Sequence, residues 1–395
     1  MPNQNQSSDA YNFDKIINRK STANIKYDLR NKIFGKSDII PMWVADMDFE
    51  TPSFITEAII KRAQHSIYGY SFRTQSYYES ISNWVQKRHN WDINTRWIVF
   101  SPGVVPALNF STLAYTNIGD SIIVQPPVYF PFFSAVTDNK RIRLNNKLLL
   151  SNDKYIIDFD DFEQKAKQAK MFFLASPHNP VGRVWTLEEL TKLGEICVRN
   201  NVIIISDEIH SDIILPGYKH IPIASISDEI ADITVTCIAP SKTFNIAGMA
   251  TSSVIISNKG LRNKFEKIIN RYHLSNGNIF GAIASEAGYT YGANWVDELN
   301  KYIQNNFEVV RLALKNSNSK IKLLKAESTY LGWLDFSDTG LKDKQIKDML
   351  INIAKVGLSP GNIFGSGGEG FQRINLATPR SVVSAAIKNI TNTFS

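Results

Sequence analysis

Short apolar runs alternate with helical patterns through the middle of this 395-residue chain. Five of the runs are rich in Val, Ile or Phe and lack the polar alternation of a half-exposed strand, which predicts buried strands. These runs are Ser121–Val124, Met171–Leu174, Val202–Ile205, Ile233–Ile238 and Ser253–Ile256. Between two of them, residues 186–200 have apolar positions at helical spacing, and Thr186 can cap that helix together with Glu189. Strand, helix, strand in this order favours a right-handed crossover and a mostly parallel sheet.

The two ends of the chain have a different pattern. Residues up to about Asp48 show no clear alternation, and after about Trp295 helical and strand patterns resume. Helices are predicted over Val296–Leu314, Lys342–Val356 and Ser381–Thr393, and strands over Tyr330–Phe336 and Gln372–Ala377, with the glycine-rich Gly357–Gly370 between them. We therefore predict an α/β fold with a large domain, residues 49–295, whose mostly parallel central sheet is flanked by helices. A smaller α+β domain is expected from both termini, residues 1–48 with 296–395.

The composition excludes several classes of protein. Apolar residues make up 43% and charged residues 21% of the chain, which is an ordinary globular balance and not that of a disordered chain. The formal net charge of +7 comes from scattered residues, which argues against nucleic acid as a partner.

No apolar run approaches the ~20 residues of a membrane helix, and the polar N-terminal stretch lacks a signal-peptide core, so we expect a cytoplasmic protein with no membrane partner. The six histidines show no metal-ligand spacing, and we expect no metal.

A glycine pattern near the C-terminus is a weak match to a nucleotide-binding motif. Gly365, Gly367 and Gly370 fit G-x-G-x-x-G. No buried strand leads into the pattern and no helix follows it directly, whereas a dinucleotide site needs both. An ordinary loop is the better interpretation.

Polar residues cluster where the predicted central strands end. In an open α/β sheet, ligands bind at the carboxyl ends of the strands. The segments at these ends are Ser101–Ala107, Pro126–Pro131, Ser176–Gly182, Ser206–His210 and Ala239–Asn245. Each alone also fits an ordinary loop, a helix cap or a solvated charge. Together they offer an amine nucleophile, a buried carboxylate, a small-residue turn at a helix N-terminus for an anion, and an aromatic ring on a stiff loop. That set is what pyridoxal phosphate requires.

The order of these motifs resembles the class I/II aminotransferase superfamily, which consists of fold type I pyridoxal-phosphate enzymes. The motifs are Ser-Pro-Gly, Pro-Pro-Val-Tyr, Ser-Pro-His-Asn-Pro-Val-Gly, Ser-Asp-Glu-Ile-His, Ser-Lys-Thr-Phe-Asn and Asn-Leu-Ala-Thr-Pro-Arg, and they cover nearly the whole chain. The segment Pro41–Phe49 and the run Ser-Lys-Thr-Phe-Asn-Ile-Ala-Gly are similar to the MalY/PatB branch of cystathionine β-lyases and related cysteine-conjugate C–S lyases.

The resemblance implies a role for each polar residue near the cofactor ring. Lys242 would bind the cofactor covalently through its amine and then act as the base at the substrate Cα. Asp207 would keep the ring nitrogen protonated, and Asn179 would donate to the phenolate oxygen with His210 nearby. Tyr129 would stack on the ring face.

The resemblance also implies how the phosphate and the substrate are held. Gly103, Val104, Val105 and Ser241 would hold the phosphate, joined by Tyr70 of a second subunit in a homodimer. Arg380 would clamp the substrate α-carboxylate with its guanidinium fork. Two positions depart from the pattern of many aminotransferases, because Ala239 replaces a hydroxyl residue and Ala250 replaces an arginine.

The resemblance implies β-elimination from an S-substituted L-cysteine, such as L-cystathionine, to a thiol, pyruvate and ammonia. Transamination uses the same residues and is the alternative. A regulatory, protein-binding role on the same fold is a third hypothesis, from another functional class.

Overall fold

A computed structural model describes residues 11–395 of the chain. Its helices are α1 Ile25–Asp28, α2 Arg30–Phe34, α3 Ser53–Gln64, α4 Gln75–His89, α5 Val104–Tyr115, α6 Pro131–Thr137, α7 Phe159–Ala166, α8 Leu187–Arg199, α9 Asp228–Asp232, α10 Pro240–Thr243, α11 Lys259–Arg271, α12 Ile279–Tyr291, α13 Ala293–Lys315, α14 Asp343–Met349 and α15 Arg380–Thr393. Its strands are β1 Ile40–Pro41, β2 Ile98–Ser101, β3 Ser121–Val124, β4 Ile142–Asn145, β5 Leu149–Ser151, β6 Lys154–Ile156, β7 Ala169–Ala175, β8 Ile203–Asp207, β9 Thr234–Ile238, β10 Ser252–Ile255, β11 Lys322–Leu323, β12 Leu331–Asp335, β13 Val356–Gly357, β14 Ser359–Pro360 and β15 Phe371–Asn375.

A seven-stranded sheet forms the centre of the molecule. Its strand order is β2-β10-β9-β8-β7-β3-β4. The strand β10 runs in the direction opposite to that of the other six strands, which are parallel to one another. Central strands are apolar on both faces because helices cover both sides, as a parallel sheet requires. The predicted crossover helix is α8, and Thr186 and Glu189 form the reciprocal capping box expected from the sequence. The α/β prediction with a mostly parallel sheet is confirmed.

A second sheet lies in the C-terminal part of the chain. Its order is β11-β12-β15-β14, and every pairing is antiparallel. The N-terminal strand β1 pairs in parallel with β13, which brings the N-terminal segment onto this C-terminal region. The division into residues 49–295 and residues 1–48 with 296–395 stays a prediction, and residues 1–10 lie outside the described part of the chain.

Two segments differ from the sequence pattern. The helix predicted over Lys342–Val356 is α14 followed by a π-helical turn, Leu350–Ala354, and Lys355 ends it in the left-handed region at φ 57°. Residues 11–48 show no periodicity in sequence because α1, α2 and β1 are too short to display one. Within residues 11–395, no helix combines the length and apolar character needed to cross a bilayer.

Candidate active site

A cavity of about 200 Å³ lies at the carboxyl-terminal edge of the central sheet. The loops that follow β2, β3, β7, β8 and β9 converge on it, because parallel strands end at the same edge. Nine residues predicted from sequence line this cavity: Gly103, Val104, Val105, Tyr129, Asn179, Asp207, His210, Ser241 and Lys242. The structure therefore brings together residues that are up to 139 positions apart in sequence (242 − 103).

Lys242 extends its amine into the cavity from the single turn of α10. Its Nζ donates a hydrogen bond to the backbone carbonyl of Ala45 at 2.5 Å. Burial and the positive charge of Arg373 lower the pKa of Lys242 to about 8, against the opposing charges of Asp46 and Asp207. A lysine with this pKa has a much larger neutral fraction at physiological pH than a solvated lysine, and the neutral amine is the form that attacks a carbonyl.

Asp207 is the last residue of β8 and is buried beside the cavity. Its Oδ1 accepts a hydrogen bond from the backbone N–H of Ile209 at 3.1 Å. Burial raises the pKa of this carboxyl to about 7, although the Ile209 N–H and Lys242 favour the ionised form. No ion pair involves Asp207 within residues 11–395. The position suits a cationic heterocycle nitrogen, which would supply the missing charge.

The first turn of α5 forms the anion-binding side of the cavity. Gly103 is its N-cap, and no side chain caps the turn. Pro106 at the third position has no N–H, so the N–H groups of Val104 and Val105 are the free donors of this helix end. Ser241 lines the cavity with them, which suits a phosphate. Ala250, where the family pattern has an arginine, also lines the cavity.

His210 is buried at the cavity and carries an unpartnered nitrogen. Its Nδ1 has no hydrogen-bond partner among the described residues. Burial and the charges of Lys242 and Arg373 hold the pKa of His210 well below its ordinary value, so the imidazole is neutral. A neutral imidazole with a free nitrogen at the wall of the cavity can accept or donate one hydrogen bond to a bound molecule.

Arg373 adjoins the wall of the cavity and belongs to none of the motifs identified from sequence. It lies on β15, is 4% exposed, and its Nη1 donates to Asn179 Oδ1 at 3.1 Å. Its Nη2 donates to the backbone carbonyl of Trp43 at 3.0 Å, and its Nε has no partner. Burial lowers the pKa of Arg373 to about 10, and no carboxylate of residues 11–395 forms an ion pair with it. The available signal was an arginine inside the predicted strand Gln372–Ala377.

Arg380, predicted as the carboxylate clamp, does not line this cavity. It begins α15, where its backbone N–H donates to the Tyr302 hydroxyl at 2.8 Å. Its guanidinium lies 4.8 Å from the centroid of the Tyr302 ring. The cation–π contact holds the side chain there. The assignment of Arg380 as the carboxylate clamp stays a prediction, and Arg373, which contacts Asn179 of the cavity wall, is a second candidate.

Tyr70 also lies away from the cavity of its own chain. It is fully exposed in the segment between α3 and α4. Its predicted contact with the phosphate requires a second subunit and stays a prediction.

The segment Trp43–Asp48 contributes Ala45 to the wall of the cavity. Besides Lys242, the hydroxyl of Tyr330 donates to the Ala45 carbonyl at 2.9 Å. Asn375 Nδ2 donates to the carbonyls of Val44 and Asp46, each at 2.6 Å. These hydrogen bonds fix the backbone around Ala45. The motif Pro41–Phe49 therefore affects the site through the position of the carbonyl that accepts from Lys242.

The arrangement fits the cofactor that the sequence predicts. It provides an amine with a depressed pKa, an unpaired buried carboxyl, a helix end with free N–H groups, and a tyrosine on the cavity wall. Each of these has a counterpart in pyridoxal phosphate, namely the aldehyde, the pyridine nitrogen, the phosphate and the ring face.

Comparison with known proteins identifies the family that the sequence motifs resemble. The model of aminotransferase class I and II matches residues 37–390. The chain is 45% identical to cystathionine beta-lyase PatB of Bacillus subtilis, over 96% of this chain and 98% of that protein.

Solved structures agree with the sequence relatives. Cystalysin of Treponema denticola, which contains a pyridoxal 5'-phosphate cofactor, has a TM-score of 0.93 at 37% identity, with 97% of this chain and 98% of that chain covered. A PLP-bound C–S lyase of Staphylococcus hominis has a TM-score of 0.91 at 34% identity, with the same coverage. The chain belongs to the aminotransferase class I and II family.

Proposed function

We propose that this protein is a pyridoxal-phosphate-dependent C–S β-lyase. It breaks the Cβ–S bond of an S-substituted L-cysteine, such as L-cystathionine, and releases a thiol, pyruvate and ammonia. The observation that carries the proposal is the placement of Lys242 and Asp207 on one cavity, at the ends of neighbouring strands. The similarity to a cystathionine beta-lyase over nearly the full chain selects this reaction among those of the family.

Each residue that lines the cavity would contact a different part of the cofactor. Lys242 would hold it covalently, and Asp207 would pair with the ring nitrogen. Tyr129 would lie on the ring face, while Asn179 and His210 would face the phenolate oxygen. Gly103, Val104, Val105 and Ser241 would hold the phosphate. When bound, the cofactor supplies an electron sink that stabilises negative charge at the substrate Cα.

Arg373 would bind the substrate carboxylate. Its guanidinium is buried beside the cavity and makes no ion pair, and a guanidinium matches a carboxylate with two parallel hydrogen bonds. This contact fixes the orientation of the amino acid, so that its Cα proton faces the Lys242 amine. Binding a carboxylate there also neutralises the charge that helps to depress the pKa of Lys242.

Lys242 would move the proton at Cα. Its depressed pKa allows the amine to be neutral before the transfer and charged after it. The electron pair left at Cα forms a double bond to Cβ while the C–S bond breaks, and the thiolate takes up a proton. The unsaturated amino acid then leaves and hydrolyses to pyruvate and ammonia.

The subunit arrangement and the cellular location are also part of the proposal. In a homodimer, Tyr70 would reach the phosphate of the neighbouring site, which accounts for the exposure of Tyr70 in the single chain. The cytoplasmic location rests on the sequence expectation alone.

A substrate panel tests the proposed reaction against transamination. The protein with bound cofactor is incubated with L-cystathionine and other cysteine–thiol conjugates, without any 2-oxo acid, and thiol and pyruvate are measured. A lyase releases both under these conditions. Activity that strictly requires an added 2-oxo acid would instead identify a transaminase.

A further inference from the structure

Asp212 lies at the centre of a buried hydrogen-bond network behind Lys242. It is 5% exposed, and its Oδ2 accepts a hydrogen bond from the Thr243 hydroxyl at 2.8 Å. Its Oδ1 accepts from Trp84 Nε1 at 3.0 Å and lies 3.3 Å from His89 Nε2. One carboxylate thus joins three elements, since Trp84 and His89 belong to α4, Thr243 belongs to α10, and Asp212 itself follows β8.

The surroundings of Asp212 keep its carboxyl ionised. Burial alone would raise the pKa of Asp212, but hydrogen bonds from His89 and Thr243 and the charge of Arg88 lower it below the ordinary value. His89 packs edge-on against His220 with 5.2 Å between ring centroids. The result is a carboxylate with fixed partners on both oxygens, which can hold a neighbouring element in one place.

The element held in this way is the turn that carries Lys242. The helix α10 has only four residues and no side-chain cap, so its own hydrogen bonds cannot fix its position. Thr243 directly follows Lys242, and its buried hydroxyl is tied to Asp212. Asp212 is in turn five residues beyond Asp207, on the same segment after β8. The two groups on which the proposed reaction depends are therefore connected through one carboxylate.

We propose that Asp212 is a positioning residue that acts through Thr243 to hold the Lys242 amine at the substrate Cα. The inference rests on the proposed function, in which Lys242 moves the Cα proton. Neither Asp212 nor Thr243 lines the cavity. They would contribute to the reaction by holding the Lys242 amine in position. A displacement of about 1 Å at a reacting group can slow catalysis about a hundredfold.

Four variants separate positioning from general stability. Thr243→Val removes the Thr243–Asp212 hydrogen bond with little change in side-chain shape, whereas Thr243→Ser retains the hydroxyl. Asp212→Asn keeps the shape but removes the charge and turns an amide NH2 toward one of the donors that the carboxylate now accepts from. Asp338→Asn is the matched control, because Asp338 pairs with Lys322 at 2.7 Å at an exposed position. Each holoenzyme is assayed for kcat and KM on a cysteine conjugate, and its bound-cofactor absorbance is titrated with pH. Hydrogen exchange of residues 240–246 is measured on the chain without cofactor.

Asp212→Asn and Thr243→Val are expected to lower kcat about ten- to a hundredfold with little change in KM. Both shift the pH midpoint of the absorbance and speed up hydrogen exchange in residues 240–246. Thr243→Ser and Asp338→Asn behave like the wild type. Because the two residues act through one contact, the double variant loses no more than the worse single variant.

The proposal is overturned if Thr243→Val keeps the wild-type kcat, absorbance midpoint and exchange, or if the two losses multiply in the double variant. Should Asp212→Asn fail to fold, the comparison of Thr243→Val with Thr243→Ser decides alone. If the wild type releases no pyruvate, the proposed function fails, while the absorbance midpoint and the exchange rates still decide the positioning role.

Discussion

Burial of charge dominates the site at the scale of single residues. Lys242 and Asp207 line one small cavity, and Arg373 contacts Asn179 of its wall. Burial shifts the pKa of each of the three groups in the direction that favours its neutral form. Such an arrangement costs stability in the free protein, because the charged forms lack the partners that water would provide. A zwitterionic substrate and a phosphorylated cofactor would supply those partners. The same features that destabilise the chain therefore prepare it for these ligands.

Replacement of Arg373 tests the carboxylate site. Arg373→Lys keeps a positive charge but loses the planar fork, and the strength of a charge-assisted hydrogen bond, about 1.5–3 kcal/mol, sets the loss. We expect kcat/KM for a cysteine conjugate to fall roughly ten- to a hundredfold. Arg380→Lys is the matched control and is expected to keep wild-type kinetics. A large loss in Arg380→Lys with wild-type kinetics in Arg373→Lys would instead support Arg380 as the carboxylate-binding residue.

The carboxyl of Asp207 makes stability depend on pH in the chain without cofactor. Its folded pKa, about 7, lies above its ordinary value of 3.8, so the folded state binds more protons between these values and stability falls as the pH rises through that window. Asp207→Asn removes this loss. Its gain in unfolding free energy is expected to be near zero below pH 3.8, to grow up to about pH 7, and then to stay constant. The size is on the order of a few kcal/mol, measured by urea unfolding.

The sequence predicted the residues that follow central strands because their chemistry stands out against apolar surroundings. Nine of the predicted residues meet at the cavity. Arg373 was missed since no local pattern separates a ligand-binding arginine in a strand from one in a salt bridge. Arg380 was preferred because it closes a family motif, and only the packing against Tyr302 reveals its actual surroundings.

Among the elements, the segment Trp43–Asp48 is held by charge as well as by backbone bonds. Lys26 is fully buried, and its Nζ lies 2.7 Å from Asp48 Oδ2. Arg19 binds Asp46 and Asp48, with distances of 2.5 and 2.6 Å. These ion pairs fix Asp46 and Asp48, on the C-terminal side of Ala45, and so help to hold the backbone that presents the Ala45 carbonyl to Lys242. Long-range pairing of this kind produces no periodic pattern in sequence, which adds to the effect of the short elements within residues 11–48.

Loss of Lys26 is expected to weaken this element. Lys26→Met removes one partner of a buried ion pair, and we expect the free energy of unfolding to fall by about 3 kcal/mol, since Arg19 still contacts Asp48. The control is Lys15→Met, because Lys15 pairs with Glu50 at an exposed position, where the change should be under about 1 kcal/mol. Equal losses in the two variants, measured by urea unfolding, would contradict the role given to Lys26.

At the scale of the whole molecule, topology determines the site. The loops that follow β2, β3, β7, β8 and β9 meet at one edge of the sheet, so motifs spread over about a third of the chain become neighbours. The alternation of predicted strands and helices correctly predicted that these loops meet at the carboxyl-terminal edge of the sheet. It could not predict that β10 is antiparallel, because a buried strand has the same apolar pattern in either direction.

The central claim is that Lys242 drives release of a thiol from a cysteine conjugate. The most direct measurement follows pyruvate and thiol from L-cystathionine without any 2-oxo acid, for the wild type and for Lys242→Ala, both supplied with pyridoxal phosphate. The account predicts equal amounts of thiol and pyruvate from the wild type and a loss of both in Lys242→Ala. Undiminished product formation by Lys242→Ala, or no product from the wild type with any cysteine conjugate, would contradict it.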